Sequence, residues 1–452
     1  MTMPNPNPGS KGRLDISLMS TGAAGIAPQR APRGLWLPAT AIAGSTSLAA
    51  LAGVTLGILA ALHWSIAADR WVEVVQAHGF IQAWGWFAVS IAALVFEFIV
   101  RLNRQPMLPF TPRATVLSLF ALGAVLASTA GVLGMATQPL LLAGTLMLLA
   151  GSIGYAWLVL RVPFGRPLQF DLHPLFFRAG AVWLVAAALL SVAGAAQTRS
   201  GAILPASFDA MIEVFLHGFV FHTIVAVGLR AFPGHVGLPP VQVPAQRPIL
   251  VLLTASVLLR LAGAPGFGLP STPILATLAD LSLAAGIAWA TWVFRLDTAV
   301  RAWSRRSDRA QVLVPLAWLG LVAYGLALAW HAGSMLLGGS APTLLAAGGA
   351  RHLYMLGFVA PLLVAMLHVV LERFGTGYLL ARGWLTTAFA LLVVAWPLRT
   401  LPPLFDPAVG AASQATMGIA GLIVTAALLF ASAAAARNAL ALLRPARGRG
   451  GR

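Results

Sequence analysis

The chain has 452 residues, of which 59% are hydrophobic and only 9% charged, with a mean hydropathy of +0.86. Soluble domains average about 25% charged residues, so this composition excludes a water-soluble enzyme and indicates a polytopic membrane protein. The absence of cysteine excludes disulfides, thiolate metal sites, iron–sulfur clusters and c-type haem attachment.

Residues 1–38 mix Pro, Gly, Ser and Arg without an apolar core and are expected to form a disordered basic cytoplasmic tail. Twelve apolar stretches follow, at about 39–64, 74–100, 114–135, 139–160, 175–196, 209–231, 248–264, 272–295, 311–331, 351–372, 384–404 and 412–436. Each can cross a hydrocarbon core of about 30 Å. Each must be helical, because backbone groups there find no water. No alternation of period two is present, so a barrel is excluded. The first stretch is too long and too deep in the chain for a cleaved signal peptide. The expected fold is therefore all-α: one transmembrane domain over 39–436, with a basic cytoplasmic tail over 437–452.

The net charge of +17 reads as topology rather than nucleic-acid binding. With the N-terminus inside, 24 of the 29 Lys and Arg fall on one face, leaving only Arg70, Arg199, Arg260, Arg351 and Arg399 on the other. The positive-inside rule then places both termini in the cytoplasm and the chain in a bacterial inner membrane. The lipid bilayer is its first partner, with a minor role for anionic headgroups.

The second stretch opens unusually, with "WVEVVQAHGFIQAWGW" from Trp71. His78-Gly79-Phe80 returns as His217-Gly218-Phe219, 139 residues later, and after another 139 comes Leu356-Gly357-Phe358. His352 stands one helical turn ahead of that third copy. These segments lie on helices 2, 6 and 10, which implies three repeats of four helices. On the predicted topology His78, His217 and His352 share the outer half of the membrane, with His63 and His331 nearby and His222 near the middle. Ionisable groups in that setting are functional candidates.

Imidazoles brought by several helices to one depth suit haem iron or copper. The candidate ligands are His78, His217, His352 and His222; the alternative for each is an interhelical packing contact. His217 and His222, five residues apart, point about 140° from each other round a helix, so they cannot both reach one atom. Gln82 lies on the His78 face at i+4 and is expected to orient the imidazole. Gly79 and Gly218 admit close approach by a planar group or another helix. Trp84 and Trp86 offer packing for a macrocycle or membrane-interface anchors. Arg351 and Arg399 are candidates to pair with propionates or, equally, to snorkel. Asp280 is an intramembrane acid within reach of Arg260, and Glu97 can pair with Arg101 at i+4.

Two resemblances follow from these segments. Twelve helices with histidines on helices 2, 6 and 10 resemble haem-copper oxidase subunit I. Helix 7 carries no His-His pair and helix 6 no His-x-x-x-Tyr, so the likeness stops short of that superfamily's copper triad. "AHGFIQAWGWFAV" at 77–89, "HGFVFHTIVAVGLRAFPGHVGLPP" at 217–240 and "ARHLYMLGFVAPLLVAMLHVVLERFGTG" at 350–377 resemble the NnrS family more closely. That resemblance implies b-type haem, alone or with copper, and a role in the response to nitric oxide. The expected function is a haem-binding membrane protein that reacts with or protects against nitric oxide. The alternatives are a haem-copper-type terminal reductase fed by quinol or another electron donor, and a proton-coupled small-molecule transporter.

Overall fold

The computed structural model describes residues 36–62, 70–134, 137–163, 171–198, 201–236, 238–263, 273–301, 310–339, 344–374, 382–405 and 410–443. Among them there is no strand. Twelve helices are long and apolar enough to cross a membrane: α1 Trp36–Ala61, α2 Trp71–Leu102, α3 Phe110–Leu133, α4 Gln138–Leu160, α5 His173–Gln197 and α6 Pro205–Gly234, then α7 Val243–Ala262, α8 Pro273–Val293, α9 Val312–Leu336, α10 Ala347–Val370, α11 Arg382–Phe405 and α12 Ala411–Leu442. The expected tail over 1–38 lies outside the described residues as far as 35, and so does His63.

Several helix ends differ from the sequence reading by a few residues, α1 starting at Trp36 within the expected tail, and two of the shifts take polar side chains into a helix. α3 starts early enough to include Arg113, expected in a loop, because the guanidinium is buried against Glu97 of α2 at 3.0 Å. α12 runs past 436, taking in Arg437 and Asn438. Asn438 Nδ2 donates back to the Ala434 carbonyl at 2.7 Å, and Arg437 lies over the Trp384 ring, so both polar side chains are accommodated without ending the helix.

The helices form an inner and an outer set. The apolar windows of α2, α6 and α10 are 100%, 78% and 72% buried, whereas those of the other nine are 28–56% buried. The inner helices are thus four apart, as the sequence repeat requires. In the outer set α3 packs on α4, α4 on α5, α7 on α8, α8 on α9 and α11 on α12. α12 also packs on α1, with Ser432 Oγ 2.6 Å from Ser47 Oγ and donating to the Ala43 carbonyl at 2.8 Å. Outward-facing Leu122, Ile153, Leu189, Val251, Leu326 and Leu422 remain exposed, as expected of a surface solvated by lipid. α3 and α4 approach backbone to backbone, since a Cβ on Gly144 would stand 2.6 Å from the Ala127 nitrogen.

Each inner helix contains a π-helical segment: Ile81–Ala88 in α2, Val214–Phe221 in α6 and Met355–Val359 in α10. The last two contain the Gly-Phe pair of the repeat, and the first begins immediately after it. α1 carries a fourth, Ala49–Gly53. Such turns shift the register of the faces above and below them and leave carbonyls without their usual partner.

Where α5 begins, Asp171 Oδ2 forms an ion pair with Arg230 Nε at 2.7 Å and lies 3.1 Å from His173 Nδ1. Burial pushes the Asp171 carboxyl up, but the contacts with His173 and Arg230 outweigh it and hold it below the usual carboxylate range. A carboxyl depressed in the folded state stabilises fully above its unfolded value of about 3.9, and this contribution is lost as pH falls through the folded value. Asp171→Asn should therefore lower the unfolding temperature at neutral pH, and the gap from the native chain should close in acid. Melting curves across pH check this.

Candidate functional site

The π turn in α1 sets the first half of the site. His78 Nδ1 lies 2.7 Å from the Gly53 carbonyl, and Gln82 Nε2 donates at 3.4 Å to that of Ala49, so the two ends of the turn receive two polar side chains of α2. Gln82 therefore grips α1 and does not bond the imidazole, correcting the sequence expectation. The His78 ring lies directly over Gly57, where a Cβ would stand 2.8 Å from it. Gly57→Ala should displace the imidazole while leaving the helices assembled. The check is loss of whatever His78 binds, at an unchanged melting temperature.

His352 supplies the second half from the first turns of α10. Its Nδ1 lies 2.7 Å from the Gly348 carbonyl one turn back. A carbonyl can only accept, so each Nδ1 carries the hydrogen and each Nε2 keeps its lone pair. Neither Nε2 makes a hydrogen bond within the described residues. The two rings are 6.1 Å apart between centroids and inclined by 22°.

Both rings line a cavity of about 280 Å³ bounded by α1, α2, the start of α6, α10, α11 and α12. Its wall is largely apolar, with a few convergent polar groups, the usual character of a small-molecule site. Arg399 reaches it from α11. The Arg399 guanidinium donates to Met417 Sδ at 3.1 Å, and no carboxylate among the described residues is within ion-pair distance of it. Arg351 also lines the cavity but is already bonded to Glu213 and Asp209, at 2.9 and 3.0 Å. Of the two arginines, then, only Arg399 has a charge left for an anionic guest.

The aromatic and glycine positions divide. Trp86 lines the cavity and donates to Thr46 Oγ1 at 3.1 Å. Trp84 is buried away from it, against Phe120 and Phe215. Gly79 makes room for the Phe208 ring and Gly218 for Trp183, so each serves packing between elements.

His217 and His222 do not join the pair. His217 Nε2 is 2.9 Å from the Tyr324 hydroxyl, and Nδ1 is 3.1 Å from Glu213 Oε2. His222 Nδ1 lies 3.0 Å from the His217 carbonyl, and Nε2 lies 3.4 Å from Thr254 Oγ1. Asp280 pairs with Arg260, which also reaches Glu213 at 3.2 Å. The four candidate histidines are therefore distributed over two places, a cavity with two free imidazole nitrogens and a neighbouring ionised cluster. Among the described residues no group of three or more His, Cys, Asp or Glu could hold a metal ion.

No protein-family model matches the chain, and no curated protein matches it. The site must be read from its own geometry.

Sequence reasoning passed over Glu213, Tyr324, Gly53 and Gly57. Glu213 had a signal, standing four residues before His217 on one helix face. So did Tyr324, one of only four tyrosines in the chain. Gly53 and Gly57 had none, because their role depends on the π turn.

Proposed function

We propose that this chain is a haem-binding integral membrane protein. His78 and His352 would hold the iron, and Arg399 would pair with the carboxylate side chains of the macrocycle. The observation that carries the reading is the pair of imidazoles with Nδ1 tied to carbonyls, Nε2 without a hydrogen bond and both rings lining one cavity. A hydrogen bond at the distal nitrogen fixes tautomer and ring direction and raises ligand basicity, the usual support for a metal-bound histidine. Two protein nitrogens suit an iron whose other positions come from a macrocycle. They also suit a single copper ion, the second form of this reading. The lack of cysteine means that any haem would be held non-covalently, without c-type attachment; b-type haem is what the NnrS resemblance implies.

When bound, haem supplies a redox-active iron. The residues of this chain hold and orient it: Gly57 leaves space for the His78 ring, and the apolar wall excludes water. The NnrS resemblance suggests a role in the response to nitric oxide, for which the apolar cavity would admit a small gas. The arginine distribution supports a cytoplasmic-membrane location with both termini inside, and so a cavity in the outer half. A proton-coupled transporter is the second reading, favoured by the ionised groups buried beside the cavity. The terminal-reductase reading has less support, because among the described residues no third imidazole joins the pair.

Purification in detergent after expression with ample haem, followed by an optical spectrum and metal analysis, tests the proposal. A Soret band with stoichiometric iron, shifting when nitric oxide is added to the reduced protein, is expected. A featureless spectrum with neither iron nor copper would overturn it and leave the transporter.

A further inference from the structure

Beside the cavity, α6 to α10 enclose a cluster of ionised groups whose charges do not cancel. Its carboxylates are Asp209, Glu213 and Asp280, and its guanidiniums are Arg260 and Arg351. Glu213 bridges the two cations, with Oε2 3.2 Å from Arg260 Nη1 and Oε1 2.9 Å from Arg351 Nε. Asp209 lies 3.0 Å from Arg351 Nη1, and Asp280 pairs with Arg260 Nη2.

His217 stands at the centre and is only 1% exposed. Its Nδ1 is at ion-pair distance from Glu213 Oε2, 3.1 Å, but not aligned as a hydrogen bond. Its Nε2 is 2.9 Å from the Tyr324 hydroxyl, and the Tyr354 ring meets it edge-on at 5.6 Å. His222, on the same helix, is engaged with the His217 carbonyl and Thr254. Arg399 reaches the cavity from α11 and pairs with none of these groups.

With His217 neutral, three carboxylates face two guanidiniums and one negative charge is uncompensated. In a region walled by apolar helices such a charge is costly. A proton on the imidazole cancels it. We propose that this cluster is a proton-binding site, with His217 as the group that takes up and releases one exchangeable proton. Neutral His217 keeps its hydrogen on Nδ1, facing the Glu213 carboxylate, and its Nε2 accepts from the Tyr324 hydroxyl. Uptake places the second hydrogen on Nε2 and turns the Tyr324 hydroxyl from donor to acceptor. Release reverses both, and no electron moves. Asp209 and Asp280, the more exposed carboxylates at 32% and 21%, connect the site to its surroundings, and Asp209 lines the cavity. The inference is independent of haem binding.

Infrared difference spectra of the full-length, histidine-labelled protein during a pH titration read the imidazolium directly. One imidazolium signal should vanish in His217→Gln. In Glu213→Gln and Asp280→Asn, which remove the uncompensated charge but keep the ring, its proton affinity should fall at least about tenfold. The two carboxylate variants keep the test decisive if His217→Gln fails to fold. An unchanged set of imidazolium signals in His217→Gln, or unchanged affinity in both carboxylate variants, would overturn the proposal. Displacement of the signal by sodium or potassium chloride at constant pH would also overturn it, showing that an alkali cation balances the cluster instead.

Discussion

If the proposed haem site is right, alanine at His78 or at His352 should each empty the cavity of haem, while alanine at His217 or His222 should not. Losing even an outer hydrogen-bond partner of a metal ligand commonly costs about 10–100-fold in affinity, so loss of a ligand should cost at least that. The structural cost should be small, because both rings face a cavity and their removal exposes little that was packed. Haem content and the Soret band should therefore collapse at a nearly unchanged melting temperature. Added imidazole should restore part of the band in His78→Gly, since Gly57 already leaves the ring space clear. The opposite pattern, with haem lost only on changing His217 or His222, would place the cofactor in the ionised cluster.

The second large effect concerns stability at the other end of α2. Glu97 is fully buried, 3.0 Å from Arg113, itself 4% exposed, and 3.0 Å from Arg101, which is 32% exposed. Glu97→Ala should leave the Arg113 guanidinium buried without a counter-charge, and breaking a buried pair from one side typically costs about 3–5 kcal/mol. Arg101→Ala should cost no more than about 1 kcal/mol, as for other solvated pairs. Replacing Glu97 and Arg113 together by apolar residues of similar volume should recover most of the loss, because no lone charge then remains. Unfolding curves of the three variants check the order. Equal melting temperatures for Glu97→Ala and Arg101→Ala would show that Arg113 finds water.

The helices were legible in the sequence because the bilayer requires about 20 apolar residues per crossing, and the chain supplies such runs at regular intervals. The inner set was legible through the Gly-Phe pairs at 79–80, 218–219 and 357–358. Local pairs at i, i+4, such as Glu97 with Arg101, follow from helix geometry alone, and Asp280 with Arg260 from the scarcity of charge in adjacent helices. The meeting of particular histidines was not legible. His78 and His217 share a motif, yet the former turns to α1 and the latter to α9. The π turns decide this, and nothing in composition announces them. His352, offset by one turn from the strict repeat, comes to stand opposite His78. Arg113 as a second partner for Glu97 was likewise hidden, because a loop arginine and the first turn of a helix look alike in sequence.

The seating of α12 against α1 bears on how the molecule is made. Met417, Gly421 and Val424 of α12 complete a cavity whose other walls come from α1, α2, α6, α10 and α11. Without α12 the chamber would lack that side, so a bulky guest is expected to enter sideways before α12 seats, without passing through the finished bundle. A chain terminated before Ala411 should bind and lose such a guest freely, where the full chain retains it.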